Sequence, residues 1–144
     1  MKAVLCYEYG PPERLVIGDL PDPTPHADEA LIEIHAAGVN FPDVLMAAGK
    51  YQSQPPRPFA PGLEVAGVVR AVGAAIQDLH PGDRVMANIG YGGFAQYAAV
   101  RRRSIRHIPA SMDLVTASAI SVTYGTSYHA LRQRANLQPG ETLL

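Results

Sequence analysis

Glycine and proline punctuation constrains this chain more than any other feature. There are 13 residues of each kind. As far as Pro109 they cut the apolar sequence into runs too short for ordinary helices, bounded by turn residues. Many short runs with that spacing argue for a barrel or sandwich of β-strands. The clearest run is Glu29–Ala37, in which Ala30, Ile32, Ile34 and Ala36 alternate with Leu31, Glu33 and His35. A period of two predicts a half-buried strand. Met1–Glu8, Leu15–Leu20, Glu64–Val72, Arg84–Ile89, Phe94–Val100 and Ile105–Ile108 are also expected to be strands. Gly67 predicts a bulge or a close backbone approach. Gln52–Pro61, polar and aperiodic, predicts a long loop that walls or covers a site.

From Ser111 the period changes. Ser111 or Asp113 is the expected cap of a helix carrying Leu114, Val115 and Ala117–Ile120. A second helix is expected from about Thr126, with Tyr128, Leu131 and Ala135 on one face. Leu137-Gln138-Pro139-Gly140 should end it, and Glu141–Leu144 reads as the start of a strand.

The bulk numbers exclude several functions. With 144 residues and a net charge of −1, the chain has one core and no charge that proposes nucleic acid or an anionic membrane as partner. No apolar run approaches the roughly 20 residues that span a bilayer, and MKAVLCYEYG does not read as a signal peptide. A cytoplasmic protein is the default expectation. The single cysteine, Cys6, excludes an internal disulfide and a cysteine-rich zinc site. The five histidines show no ligand-like spacing.

Chemistry is expected in Gly38–Tyr51, GVNFPDVLMAAGKY. Pro42 suits the first turn of a short helix, Asp43 suits its positive end, and Gly49 suits its stop. Asn40, Asp43 and Tyr51 are then polar groups held around one turn of backbone at the end of a strand. Local physics alone favours reading them as two ordinary cap residues and an amphipathic surface ring. Glu64 is a carboxylate entering an apolar strand and needs a partner, for which Arg84 is the candidate. Arg101-Arg102-Arg103 with Arg106 is the only basic run; it reads as a solvated strand end or as a face for an anionic carrier.

GVNFPDVLMAAGKY, PFAPGLEVAGVV, VGAAIQDLHPGDRV and GGFAQYAAV follow one another at close spacing. As an ordered set they resemble the N-terminal, GroES-like catalytic domain of the medium-chain dehydrogenase/reductase superfamily, and within it the zinc-independent quinone oxidoreductases of the zeta-crystallin type. The resemblance implies a mainly β, α+β fold: a GroES-like β-barrel with short helices. It implies a GroES-like catalytic domain over residues 1–125, and a connecting helix and first strand over 126–144. A dinucleotide-binding domain would follow those residues. The expected fragment is inactive alone and binds NADPH weakly, because Gly90-Tyr91-Gly92-Gly93 precedes a strand and no G-x-G-x-x-G occurs.

Zinc members of the superfamily hold a catalytic metal at positions that match Asn40 and Leu63 here. An amide and an aliphatic chain do not replace a thiolate and an imidazole, so a metal-free domain is expected. Without a Lewis acid, reduction of a quinone or other conjugated carbonyl by NADPH is easier than alcohol oxidation. By resemblance, Tyr51 lines the pocket or donates a proton, Asn40 binds the substrate oxygen or the nicotinamide ribose, and Asp43 orients its neighbours. Thr126 matches a threonine near the nicotinamide carboxamide, and reads equally well as a helix N-cap. The full-length protein is expected to be a homodimer. The rival readings are an enoyl thioester reductase of the same superfamily and a non-catalytic GroES-like module.

Overall fold

A computed structural model describes Met1–Leu143. Strands β1 (Lys2–Leu5) and β2 (Val16–Asp19) form an antiparallel ribbon. Strands β3 (Glu29–Gly38), β4 (Glu64–Val72), β5 (Arg84–Asn88), β6 (Tyr97–Arg101) and β7 (Ile105–His107) form a five-stranded antiparallel sheet in the order β6-β3-β4-β5-β7. The ribbon is fastened to the rest by bridges from Ala3 to Ala95 and from Cys6 to Phe59. These bridges explain two shortened strands. Cys6 leaves the ribbon to pair with Phe59, and Ala95 is engaged with Ala3 before β6 begins.

Ala30, Ile32, Val65, Val69, Val85 and Ile105 are buried together between these strands. The valines and isoleucines among them each contribute about 1.5–3 kcal/mol through removal from water. The expected alternation along β3 holds only halfway. Ile34 pairs with Gly67 and Ala36 with Ala66, so His35 is an extra residue on β3. A bulge of this kind switches which parity faces inward. Ala37, rather than Ala36, therefore packs against the core. Arg70 plays the same part on β4, between the pairs Leu31–Ala71 and Ile32–Val69. Gly67 is the expected close approach: a Cβ there would lie 1.9 Å from the carbonyl oxygen of Glu33.

Between β3 and β4 stands α1 (Phe41–Ala47), with Pro42 in its first turn. Past β7, Asp113 caps α2 (Leu114–Ser118), accepting from the Thr116 N–H at 2.8 Å and from its hydroxyl at 2.7 Å. The run does not stop where two helices were expected. It continues through a π-helical turn (Ile120–Tyr124), α3 (Gly125–Tyr128) and a second π-helical turn (His129–Arg134). Gly125 adopts ordinary right-handed helical angles, so it carries the helix on rather than breaking it. Glu141–Leu143 are not in a strand. A strand needs a partner to hydrogen-bond with, and no strand among the described residues pairs with them; Leu144, the rest of that expectation, lies outside the described residues. No described helix is long and apolar enough to cross a membrane.

Candidate functional site

Asn40 sits at the N-cap of α1 in extended conformation, φ −126° and ψ 155°. Its backbone N–H donates to Asp43 Oδ2 at 2.8 Å. Asp43 Oδ1 accepts from the Gly62 N–H, also at 2.8 Å. One carboxylate thus ties the first turn of α1 to the loop before β4. Gly62 has φ +101°, and a Cβ on it would meet the Phe94 nitrogen at 2.7 Å, so the donor of this bond has to be a glycine. Asp43 is only 4% exposed. Burial pushes its carboxyl above the ordinary carboxylate range, and the nearby negative Glu64 adds to this. The two N–H donors act in the opposite sense.

Glu64, at the start of β4, is 1% exposed. Its expected partner was Arg84, and that pairing is not made. Arg84 donates instead to the carbonyl oxygens of Ala110 and Met112. Glu64 Oε1 accepts from Asn40 Nδ2 at 3.0 Å, and Oε2 accepts from the Val122 N–H at 2.8 Å. Neutral amide donors satisfy this buried acid, and among the described residues no cation forms an ion pair with Asp43 or Glu64. The Val122 donor lies in a π-helical turn, where the ladder of helix hydrogen bonds is loosened.

The structure therefore brings Asn40, Asp43 and Glu64 into one hydrogen-bonded cluster. Asn40 is its half-buried member, the one that still meets solvent. Tyr51 stands apart from this network. Its ring packs against a buried apolar cluster of Cys6, Met46, Phe59 and Leu63, which Val122 also touches. Its hydroxyl forms no hydrogen bond among the described residues, so it is held at one end and free to donate at the other. Thr126 is exposed in α3, and the residue before it is already helical. The N-cap reading of Thr126 is thereby corrected: a residue inside a continuous helix caps nothing.

Leu63 is buried at 8% exposure, and the Asn40 amide nitrogen is committed to Glu64. Neither side chain offers zinc a thiolate or an imidazole. The histidines are spread apart: His35 meets Glu33, His80 and His107 flank Asp83, and His129 meets Gln133. Among the described residues no three His, Cys, Asp or Glu side chains converge on a point that would hold a metal.

Sequence reasoning missed three features. It did not identify the amides of Gly62 and Val122 as partners of the two acids, because backbone donors carry no side-chain signal. It did not identify the half of the basic run that is spent on internal contacts. It also missed a cavity of about 730 Å³, which Asn40, Asp43, Tyr51, Leu63 and Thr126 do not line.

Comparison with known proteins agrees with this architecture. The alcohol dehydrogenase GroES-like domain profile matches residues 26–110. A quinone oxidoreductase-like protein 2 homolog from Nematostella vectensis is 39% identical over 99% of this chain and 39% of its own length. A probable oxidoreductase from Mycobacterium abscessus superposes with a TM-score of 0.91 at 40% identity, over 98% of this chain and 45% of that one. A quinone oxidoreductase from Thermus thermophilus, solved also in complex with NADPH, superposes with a TM-score of 0.82 at 34% identity, over 98% of this chain and 43% of that one. The chain thus spans less than half the length of these relatives. With its two-stranded ribbon, its five-stranded sheet and the profile match over most of the sheet, the chain belongs to the alcohol dehydrogenase GroES-like domain family, within the medium-chain dehydrogenase/reductase superfamily.

Proposed function

We propose that this chain is the substrate-side domain of an NADPH-dependent, zinc-independent quinone oxidoreductase, one that reduces a quinone or other conjugated carbonyl. Residues 1–125 form the catalytic domain, and residues 126–144 lead toward a dinucleotide-binding domain. The reading rests on one observation: the positions that hold zinc in metal-dependent relatives carry Asn40, bound to Glu64, and buried Leu63. Relatives named quinone oxidoreductases support the substrate class, and the NADPH complex of one of them supports the cofactor.

The residues here suit only one end of that cofactor. Gly90-Tyr91-Gly92-Gly93 runs into β6 rather than into a helix, so it makes no cradle for phosphates. Thr126, exposed on α3, and the Asn40 amide are the polar groups offered to the nicotinamide end. When bound, the nicotinamide supplies a hydride to the acceptor.

This chain's residues then handle the charge that develops on the acceptor oxygen. Tyr51, fixed by its ring, donates its hydroxyl to that oxygen. Asn40 adds a second dipole, oriented in advance by Glu64 and by the Asp43 carboxylate behind its backbone. Such fixed dipoles stabilise developing charge without reorganising when the reaction occurs. Exposed Val39 and Phe41, flanking Asn40, give the approach an apolar rim that suits an aromatic acceptor.

The test is NADPH-coupled quinone turnover by the protein that carries both domains. Tyr51→Phe keeps the ring packing and is expected to lower kcat by about 10²-fold or more. Unchanged turnover in that variant, or stoichiometric zinc in metal analysis, would overturn the reading. Turnover of a crotonyl thioester but not of quinones would assign the domain to an enoyl thioester reductase instead.

A further inference from the structure

One cavity measures about 730 Å³, within the roughly 300–1,000 Å³ of small-molecule sites. It is lined by Met1 and Leu20 beside the β1–β2 ribbon, by the loop before β4 and by β6. Leu20, Phe59 and Val100 give it apolar lining, and Arg101 and Arg103, two residues apart in the chain, line it too.

The basic run divides at this point. Arg102 turns away and forks onto Asp78, with Nε–Oδ1 at 2.8 Å and Nη2–Oδ2 at 2.6 Å. Arg106 spends Nη1 on the carbonyl oxygens of Arg103 and Ile105, at 2.7 and 2.9 Å. Arg101 and Arg103, by contrast, have no side-chain hydrogen bond or ion pair among the described residues, and both line the cavity. The lining contains one acid, Glu29, which lies opposite Arg101 across the β3–β6 ladder. Glu29 Oε2 accepts from the His26 N–H at 3.1 Å. Two guanidiniums against one carboxylate leave the lining's side chains with one net positive charge.

We propose that this cavity is a second ligand site, for an amphipathic small molecule with a single anionic head, a carboxylate or a phosphate monoester. The planar guanidinium forks of Arg101 and Arg103 match either head. The apolar body lies against Leu20, Phe59 and Val100. Neither Asn40 nor Tyr51 lines this site; Phe59, which does, also belongs to the apolar cluster that Tyr51 packs against.

The experiment is calorimetric titration of the 144-residue chain with dodecanoate, dodecyl phosphate and dodecanol. At least one anion should bind, and dodecanol should bind more weakly. Binding of dodecanoate alone names a carboxylate ligand, and binding of dodecyl phosphate alone names a phosphate. Replacing both arginines, Arg101→Ala with Arg103→Ala, should weaken the anion by about tenfold or more, the scale of losing charge-assisted hydrogen bonds. If that double variant does not fold, Arg103→Glu changes one exposed side chain and carries the same expectation. Amide shifts on titration should appear around Phe59 and residues 97–104. Undiminished affinity in the variants, equal affinity for dodecanol, no binding of either anion, or shifts confined to residues 40–51 would each overturn the proposal.

Discussion

Strands β3 and β4 and the helical run from Leu114 to Arg134 show two ways of holding a segment in place. The strands share a long ladder interrupted only by the bulges at His35 and Arg70, and Ile32, Val65 and Val69 are wholly buried between them and their neighbours. The helical run is anchored at its start by Asp113 and by the burial of Ala117 and Ser118. Beyond that its π-helical turns and α3 contain no buried residue, and Tyr124 and Tyr128 are 71% and 62% exposed. One carboxylate, Glu64, joins the two regions, accepting from Asn40 on one side and Val122 on the other. Packing holds the first region and directed hydrogen bonds hold the second. The candidate site lies where the two meet, so substitutions should sort by which kind of support they remove.

Gly67→Ala attacks the packing and should have the largest effect. A methyl group 1.9 Å from the Glu33 carbonyl cannot be accommodated without parting β3 from β4. We expect a loss of about 3 kcal/mol or more by urea unfolding. Asp43→Ala comes next. It leaves the N–H groups of Asn40 and Gly62 without their acceptor, and the expected cost is about 2–4 kcal/mol in the same assay.

Glu64→Gln sharpens the comparison. The amide that replaces one carboxylate oxygen must face a donor, either Asn40 Nδ2 or the Val122 N–H. A global loss of about 1–2 kcal/mol is expected. Hydrogen exchange should speed up over residues 120–134 more than over β3 and β4. Uniform acceleration across both regions would show that the tail is not held separately.

Titration gives a smaller signature. Asp43 has a raised carboxyl pKa in the folded chain, so the folded state takes up its proton at a higher pH than the unfolded state does. Its contribution therefore becomes less favourable as pH rises from the ordinary carboxylate value through the raised one. Glu33, Asp78 and Asp113 are shifted downward and act in the opposite sense at lower pH. The comparison is accordingly between the native chain and Asp43→Asn. On acidification through that window the native chain should gain stability relative to the variant. Parallel pH curves would refute the assignment. Tyr128→Ser, on the exposed side of the tail, should change stability by no more than about 0.5 kcal/mol.

Much of the candidate site was legible because its signals are local. Pro42 in the first turn, Asp43 beside the helix start and Gly49, with φ +69° just past its end, follow from rules that span a few residues. Gly67 was legible for a similar reason, as a residue without a side chain in an apolar strand. The partners of Glu64 were not. A buried charge suggested an opposite charge, but the fold satisfied it with an amide 24 residues away and a backbone N–H 58 residues away. Contacts that long leave no periodic trace. The bulges at His35 and Arg70 were hidden too, since neither residue type marks an insertion.

His35 has a consequence beyond its own strand. Because it adds one residue between two consecutive pairings, everything from Ala36 to Asn40 is rotated by half a turn relative to the unbroken pleat. The amide at the head of α1 is thus aimed by counting: remove one residue upstream, with no change to Asn40 itself, and the same amide would point to the opposite side of the sheet.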